Sequence, residues 1–559
     1  MQCPDDGREP KEASVRVADV VAEILKREGV DLIIGYPVND VLEAAARADI
    51  RTVIVRQERV GIHMADAVSR VTSGQRIGVF AMQHGPGTEN AFGAVAQAYA
   101  DSVPVLILPE GYPRPIQNLP PNFSALLNYR EIAKWVEQVV LPGEVPNALR
   151  RAWTQLKNGR PRPVVIELPR DLVQEEFSGP LDYRPAPRVR IAPDPVAVDE
   201  VAAVLVAARR PVIYAGQGVH YAQAWEELRA LAELLEAPVC TSLQGKSAFP
   251  EDHPLALGAG GRAYPATVAH FLREADVIFG IGCSFTRTNY GVRIPYEGKT
   301  IIHATLDPAD LNKDVPISHA LLGDARLTLA ALYEAVSERL GGKPRGRLPE
   351  VVAEIRRVRD AWLAQWMPKL TSDEVPLTPY RVIWELMHTL AIDRTIITHD
   401  AGSPRDQLSP FWVSKRPLTY LGWGKSTQLG YGLGLAMGAK LARPDMLCIN
   451  VWGDAAIGMT GMDFETAVRE RIPILSILFN NFSMAIEIPF MPVATEKYRA
   501  TDISGDYAAF ARAMGGYGER VTEPGQIVPS IQRALRAVED GIPALLEFIT
   551  GKELAISTP

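Results

Sequence analysis

Trp452-Gly453-Asp454-Ala455-Ala456, followed by Phe479-Asn480-Asn481-Phe482-Ser483, is the stretch on which the reading of this chain turns. Residues 447–452 form a short apolar run with β-branched members, and 474–479 form a second. Between them, within 461–471, Met462, Ala467 and Val468 recur at helical spacing. Strand, helix and strand at this length make a βαβ unit of a parallel sheet. Both strands end in polar groups at their carboxyl ends, where open α/β sheets place ligands. Asp454 and Asn481, 27 positions apart, then stand side by side at the sheet edge. A carboxylate, an amide oxygen and a backbone carbonyl make an all-oxygen half-cage, which suits Mg²⁺ when a diphosphate completes the shell. The helix that opens after Asp454 offers free N–H groups to the same diphosphate. The plain alternative is an ordinary βαβ unit whose Asp and Asn only cap and turn.

A chain of 559 residues is too long for one core and predicts three domains. Its 59 basic and 66 acidic residues leave a formal charge of −7, and no basic cluster points to nucleic acid. No apolar run approaches the length of a membrane span. Residues 1–12 are polar and charged and read as a disordered tail without a signal-peptide core. Cys3, Cys240, Cys283 and Cys448 are scattered. The last three lie in apolar runs and read as core packing in a reducing cytoplasm.

Outward from the opening stretch, the same alternation recurs along the chain and predicts three doubly wound parallel-sheet domains of α/β class, at 14–185, 190–345 and 375–550. In the first, an amphipathic helix over 15–28 precedes strands at 31–35, 52–55, 77–81, 104–108 and 163–168. Glu58 stands at one strand end, directly before a helix over 60–72. Gln83 and His84 follow another, just before a Gly85-Pro86-Gly87 turn and a helix over 91–100. The middle domain, set off by linkers at 187–195 and 341–349, has strands at 211–214, 276–281 and 301–304 and a helix over 222–235. Its Gly216-Gln217-Gly218 is a weak dinucleotide signal, lacking the third glycine and the later acid. In the last domain a strand over 395–398 ends in His399-Asp400-Ala401-Gly402-Ser403. A glycine-rich segment over 424–434 reads as a helix packed tightly on the sheet, and a strand over 544–549 closes the domain.

Gly-Asp, then a third residue (here Ala455), some two dozen positions and Asn-Asn resembles the signature of thiamine-diphosphate enzymes. A first-turn helix position needs no positive φ, so alanine is tolerable there. Arg56-Gln57-Glu58 before a small-residue helix resembles that family's glutamate segment. Gly85-Pro86-Gly87-Thr88-Glu89-Asn90, Ala98-Tyr99-Ala100-Asp101-Ser102-Val103-Pro104, Gly35-Tyr36-Pro37 and Gly159-Arg160-Pro161 look like the acetolactate synthase branch. The resemblance, over about 14–550, implies thiamine diphosphate and Mg²⁺ as cofactors. It assigns Glu58 to N1′ of the aminopyrimidine, promoting the imino tautomer that removes the C2 proton. It assigns the Thr427 carbonyl to the 4′-amino group and Leu429 to the wedge under the bent cofactor. Ala401, Gly402 and Ser403 would meet the far side of the diphosphate. Pro37, Gly453, Asp454, Ala455, Ala456, Asn481, Ser483 and Met484 complete the implied cofactor contacts, with Asp454, Asn481 and Ser483 on the metal. In the family the middle domain sometimes holds FAD or ADP and sometimes nothing. The cofactor lies between subunits, so a homodimer is the minimum, and a homotetramer is expected.

Two features depart from acetolactate synthases. Glu487, six positions after Asn481, resembles an acid of the pyruvate and indolepyruvate decarboxylases, and no Trp occurs between Phe482 and Tyr507. Glu487 is then an acid/base or a surface carboxylate. His84 sits within a residue of a catalytic histidine of aromatic 2-oxo acid decarboxylases, where acetolactate synthases carry a small residue. An imidazole is the natural proton shuttle near neutrality, with Gln83 and Asn39 as neutral hydrogen-bonding neighbours. The alternative is a histidine bonded to the turn. The expected function is cleavage of CO₂ from a 2-oxo acid to leave an enamine, then carboligation to a second carbonyl compound or release of an aldehyde. The competing readings are an acyloin or 2-hydroxyacyl-CoA lyase, an oxalyl-CoA decarboxylase-like enzyme, and a non-catalytic cofactor-binding paralogue. The short stretch after 549 weakens the CoA readings.

Overall fold

The computed structural model describes residues 15–288 and 290–559, so the tail expected over 1–12 and Cys3 lie outside the described residues. Three six-stranded sheets, each parallel throughout, carry the chain, with one two-stranded antiparallel ribbon, Val15–Arg16 on Glu176–Phe177, beside the first. The first sheet runs Arg51–Ile54, Leu32–Gly35, Gly78–Met82, Val105–Gly111, Val164–Pro169, Trp135–Gln138. The last runs Tyr420–Leu421, Thr395–His399, Leu447–Gly453, Leu475–Asn480, Ala544–Ile549, Tyr517–Val521. Numbered within each domain, both have strand order 2-1-3-4-6-5. The middle sheet, Ala256–Gly260, Val239–Ser242, Pro211–Ala215, Val277–Ile281, Thr300–Thr305, His319–Leu322, has the order 3-2-1-4-5-6 of dinucleotide-binding folds.

Because successive strand side chains point to opposite faces, each strand of the first sheet feeds two cores. Ile33, Val79, Ala81, Leu106, Val164 and Ile166 pack beneath helices Val17–Arg27, Asp40–Arg47 and Val145–Lys157. Leu32, Ile34, Val53, Phe80, Val105 and Ile107 face the other way, into a core that also contains Ile396, Cys448, Trp452 and Leu478 of the last sheet. The first and last domains thus share one apolar layer. Within it the helices Glu58–Val71 and Tyr431–Ala442 pack on one another. They lie so close that a Cβ on Gly434 would come within 2.4 Å of His63 Cβ, and one on Gly438 within 2.1 Å of Met64 O. Cys240, Cys283 and Cys448 are buried and unpaired, as core residues.

Several elements differ from the sequence expectation. The first helix begins at Val17 because Val15 and Arg16 pair as a strand. The helix expected over 60–72 begins at Glu58 itself, with Gln57 as its extended cap. Gly85-Pro86-Gly87 is no free turn: Gly85, at φ +56°, caps a helix Pro86–Ala100 in which Pro86 takes the first position, where a missing N–H costs nothing. The helix expected over 222–235 is two helices, Gly218–Ala222 and Trp225–Leu235, broken where Gln223 adopts φ +53°. The segment 424–434 is helical only from Tyr431 onward; Gly424 (φ +138°) and Gly430 (φ +86°) hold 424–430 as a loop. Between Leu447–Gly453 and Leu475–Asn480 the connection is a helix Asp454–Thr460, a 3₁₀ turn and a helix Phe464–Arg469. The linker over 341–349 leads into a 23-residue helix, Leu348–Leu370, that the pattern did not disclose. Among the described residues no helix is long and apolar enough to cross a membrane.

Candidate active site

In an open α/β sheet, connections leave to opposite sides at the point where strand order reverses, opening a crevice at the carboxyl ends. In the last domain that point lies between Thr395–His399 and Leu447–Gly453, which pair in register His399 to Val451. Residues 400–403 leave one strand there and Asp454 the other. Next to it, Leu447–Gly453 pairs with Leu475–Asn480, Gly453 opposite Phe479. That register brings the two segments quoted at the outset together. Asp454 Oδ2 accepts from the Asn481 N–H at 3.2 Å and the Ser483 N–H at 3.1 Å, and Oδ1 accepts from the Ala455 N–H at 2.9 Å. The Asn481 Oδ1 accepts from Ser483 N–H at 2.9 Å. Ser483 Oγ is buried without a partner among the described residues. Burial pushes the Asp454 carboxyl above the ordinary carboxylate range, against the pull of these N–H donors.

The opposite wall of this crevice is tied down by Asp400. Its Oδ1 accepts from Ala401 N–H and Gly430 N–H, both at 2.8 Å, and its Oδ2 from Gly432 N–H at 2.9 Å. One fully buried carboxylate therefore fixes the 400–403 turn against the loop that carries Thr427 and Leu429. Burial raises it to about 6. Gly402, at φ +82°, leaves space where a side chain would meet Ile486 Cδ1 at 3.5 Å. The segment that follows Ser483, a 3₁₀ helix Ala485–Phe490, thus overhangs the turn, with Glu487 half-buried on it. Met484 is held by its N–H to Thr501 O at 2.8 Å.

The equivalent crevice of the first domain lies between Leu32–Gly35 and Gly78–Met82, and there Pro37, Asn39, Gln83 and His84 emerge. Glu58 reaches it from the start of its helix. It is 3% exposed, accepts a hydrogen bond from Asn90 Nδ2 at 3.2 Å, and is pushed above the usual carboxylate range by burial. A Cβ on Gly87, in the helix Pro86–Ala100, would come 2.8 Å from Gln83 Cγ and 3.3 Å from Glu58 Oε1, so glycine there eases the approach of both side chains. Asn39 caps the helix Asp40–Arg47 through its oxygen, and its amide donates to Met82 O at 2.8 Å and Leu108 O at 3.0 Å. Its side chain thereby ties the strands Gly78–Met82 and Val105–Gly111 to the start of that helix. His84 is part-exposed and packs against Tyr112, ring centroids 4.6 Å apart and tilted by 58°; burial, then Arg170, lowers its pKa.

Two residues of this crevice escaped the sequence reading. Glu110, at the end of the strand Val105–Gly111, is 2% exposed and raised to about 7 by burial. Tyr112 follows it. Both stand just past an apolar run, the same signal that marked Asp454, but that strand was read as ending at Leu108. The bracing role of Asp400 depends on contacts 30 positions away in sequence, which no local pattern shows.

The two crevices are joined inside the chain through Arg59, whose guanidinium donates to Leu429 O at 3.0 Å. Gln428 N–H donates to Gln97 at 3.3 Å, laying the loop 424–430 along the helix Pro86–Ala100. In the middle domain, a crevice opens at its own switch point. There Gly216 and Gly218 approach Gly282 so closely that any Cβ would meet its backbone within 2.9 Å. Among the described residues no three His, Cys, Asp or Glu side chains converge on a metal-sized point. A cation at Asp454 would therefore draw on one carboxylate, amide oxygen and carbonyls, the ligand chemistry of a hard ion.

Comparison with known proteins bears on all three domains. Models of the thiamine pyrophosphate enzymes match 15–132 (N-terminal TPP binding domain), 198–332 (central domain) and 400–548 (C-terminal TPP binding domain). A probable acetolactate synthase large subunit of Methanocaldococcus jannaschii is 30% identical over 95% of this chain and 91% of its own length. The acetolactate synthase isozyme 3 large subunit of Escherichia coli is 27% identical over 94% and 92%. Among solved structures, benzoylformate decarboxylase from Polynucleobacter necessarius superposes with a TM-score of 0.81 over 97% of this chain and 99% of that one, at 22% identity, a likeness of fold.

Proposed function

The chain belongs to the thiamine pyrophosphate enzymes, and we propose on that basis that it uses thiamine diphosphate and Mg²⁺ to cleave CO₂ from a 2-oxo acid. The remaining acyl unit is then released as an aldehyde or joined to a second carbonyl compound. The observation that carries this reading is the Asp454–Asn481–Ser483 cluster, bonded together at the carboxyl ends of two adjacent strands. The donor set fits the group. Asp454 has accepted three N–H bonds of the roughly four an ionised carboxylate can take, and the Ser483 hydroxyl is a buried polar atom still lacking a partner.

Asp454, Asn481 and Ser483 would hold the cation, with Gly453, Ala455, Ala456 and Met484 lining the diphosphate. Ala401, Gly402 and Ser403 face them from the turn that Asp400 braces. Thr427 and Leu429 would meet the pyrimidine and the bend of the cofactor. When bound, the cofactor supplies the carbon nucleophile and the electron sink. The chain's own residues orient it, exclude water and move protons. Glu58, shielded from water and raised in pKa, can share a proton with a ring nitrogen. His84 and Glu487 would exchange protons with substrate. Gln83 lies beside His84, and Asn39 positions the strand ends from which both the histidine and Pro37 emerge.

A homodimer or homotetramer in the cytoplasm is part of the reading. Met459, Met462, Phe482, Met484, Phe490, Met491 and Val493 are exposed in the single chain, and all lie on the segments that carry or follow Asp454 and Asn481. A second copy covering them would set its Glu58 over this cofactor site. The middle-domain crevice leaves FAD, ADP or no nucleotide as the alternatives; the visible spectrum of the purified protein reveals FAD, and chromatography of the acid-released supernatant separates ADP from an empty crevice. The acetolactate synthase names of the relatives favour carboligation, whereas His84 and the missing Trp favour a decarboxylase. Assaying CO₂ release from pyruvate and benzoylformate, with product analysis and with benzoin as a lyase substrate, tests the proposal. Release from neither acid, with benzoin cleaved, would replace it with the lyase reading.

A further inference from the structure

We propose that Glu110 is a positioning residue for His84: the two side chains share one proton along the line from Glu110 Oε2 to His84 Nδ1, and this sets which imidazole nitrogen faces the substrate. The inference rests on the reading that His84 serves a 2-oxo acid bound at the first crevice.

The strand Gly78–Met82, which leads into His84, pairs with Val105–Gly111, Met82 opposite Pro109. Continued past the paired residues, that register sets Gln83 and His84 beside Glu110 and Gly111, so residues 84 and 110 are diagonal neighbours at the two strand ends. Glu110 Oε1 accepts from the Asp40 N–H at 3.3 Å. Its Oε2 is buried and has no hydrogen-bond partner among the described residues, and neither does His84 Nδ1. These two unsatisfied atoms lie 3.8 Å apart, about 1 Å more than a hydrogen bond. Leaving either unpaired is costly inside a protein, and a small side-chain rotation would pair both. The Tyr112 ring packs against the imidazole at 4.6 Å, tilted by 58°, and limits its swing.

The charged groups around the pair come from each neighbouring element: Asp40 from the start of its helix, and Arg170 from the end of the strand Val164–Pro169. With Glu110 raised to about 7 and His84 lowered, a protonated acid and a neutral imidazole coexist on the acid side of neutrality. The Glu110 O–H then donates to Nδ1, and the ring proton sits on Nε2. When Nε2–H passes its proton to an anionic oxygen or carbon of the substrate, the Glu110 proton moves to Nδ1. The imidazole stays neutral and the negative charge comes to rest on the Glu110 carboxylate. The reverse transfer restores the pair with one proton from the next substrate or from water. The competing account is a carboxylate that only receives the Asp40 N–H.

Nitrogen-15 NMR of histidine-labelled full-length protein tests this directly, with His84→Gln identifying the His84 signals. In the wild type, Nδ1 is expected to be unprotonated and Nε2 protonated at about pH 6, exchanging roles above about pH 8 as Glu110 ionises. In Glu110→Gln that exchange disappears, and kcat falls on the order of 100-fold while KM stays within about threefold. A His84 that titrates only as a lone imidazolium, in the wild type alone or identically in both proteins, overturns the proposal whether or not the variant folds. Signals that behave as expected in a protein that releases no CO₂ would leave the pair standing and remove the 2-oxo acid reading instead.

Discussion

Glu58→Gln exchanges one carboxylate oxygen for an amide at constant shape, and the structure says what each part of that exchange does. The glutamine carbonyl can still accept from Asn90 Nδ2, the bond that Glu58 makes at 3.2 Å. The space beside Gly87 is unchanged. Because burial already disfavours the charged form of Glu58, a neutral amide there adds no desolvation cost. Stability should therefore change by no more than about 1 kcal/mol, the net worth of one hydrogen bond. Proton sharing with the cofactor is lost altogether. A positioned acid–base group contributes about 10²–10⁴ in rate, which is roughly 2.7–5.4 kcal/mol of activation free energy. CO₂ release should be followed at saturating thiamine diphosphate and Mg²⁺, with the cofactor Kd and the thermal midpoint measured in parallel. The expected result is a kcat at least about 100-fold lower, with a cofactor Kd within about tenfold of the wild type. A variant turning over at the wild-type rate would refute the role given to Glu58, and one that failed to fold would show a structural carboxylate instead.

Gly438→Ala would drive a methyl group to 2.1 Å from Met64 O, a backbone atom that cannot swing away. The helices Glu58–Val71 and Tyr431–Ala442 must separate, so urea unfolding should show a loss of about 1–3 kcal/mol or more; Gly458→Ala, with nothing within 4 Å of the new Cβ, is the control expected to be neutral or stabilising. Asp454 gives a pH prediction whose sign follows from its raised pKa. Its protonated form is favoured in the cofactor-free fold, so its contribution to stability is present at low pH and lost as pH rises through the folded value. A cation needs the ionised form, so the gain in thermal midpoint on adding thiamine diphosphate with Mg²⁺ should be larger at about pH 7.5 than at about pH 5. Asp454→Asn should flatten that difference and weaken metal-dependent binding, and an equal gain at both pH values in the wild type would contradict the assignment.

How far the chain was legible varied with the kind of interaction involved. Buried parallel strands announce themselves as apolar runs, which is why Leu447–Gly453, Leu475–Asn480 and Ala544–Ile549 emerged within a residue of their ends. The edge strand Trp135–Gln138 did not, because its residues are only half-buried and carry polar groups. The loop 424–430 was read as helix because glycines that permit close helix packing and glycines that turn the chain look alike until φ is known. Asp454 and Asn481 could be placed side by side because adjacent strands of one βαβ unit have only one way to meet. The Glu110–His84 approach and the Asp400 brace depend on pairings between non-consecutive segments, and no local pattern encodes those.

The proposed chemistry requires the strand ends at Asp454 and Asn481 to hold a diphosphate through a divalent ion. Calorimetric titration of metal-stripped protein with thiamine diphosphate, with and without Mg²⁺, measures this directly. Saturable binding of one cofactor per chain that is lost on chelating the metal, and lost again in Asp454→Asn, is the predicted result. Binding that ignores the metal, or no binding by the metal-replete protein, would contradict it.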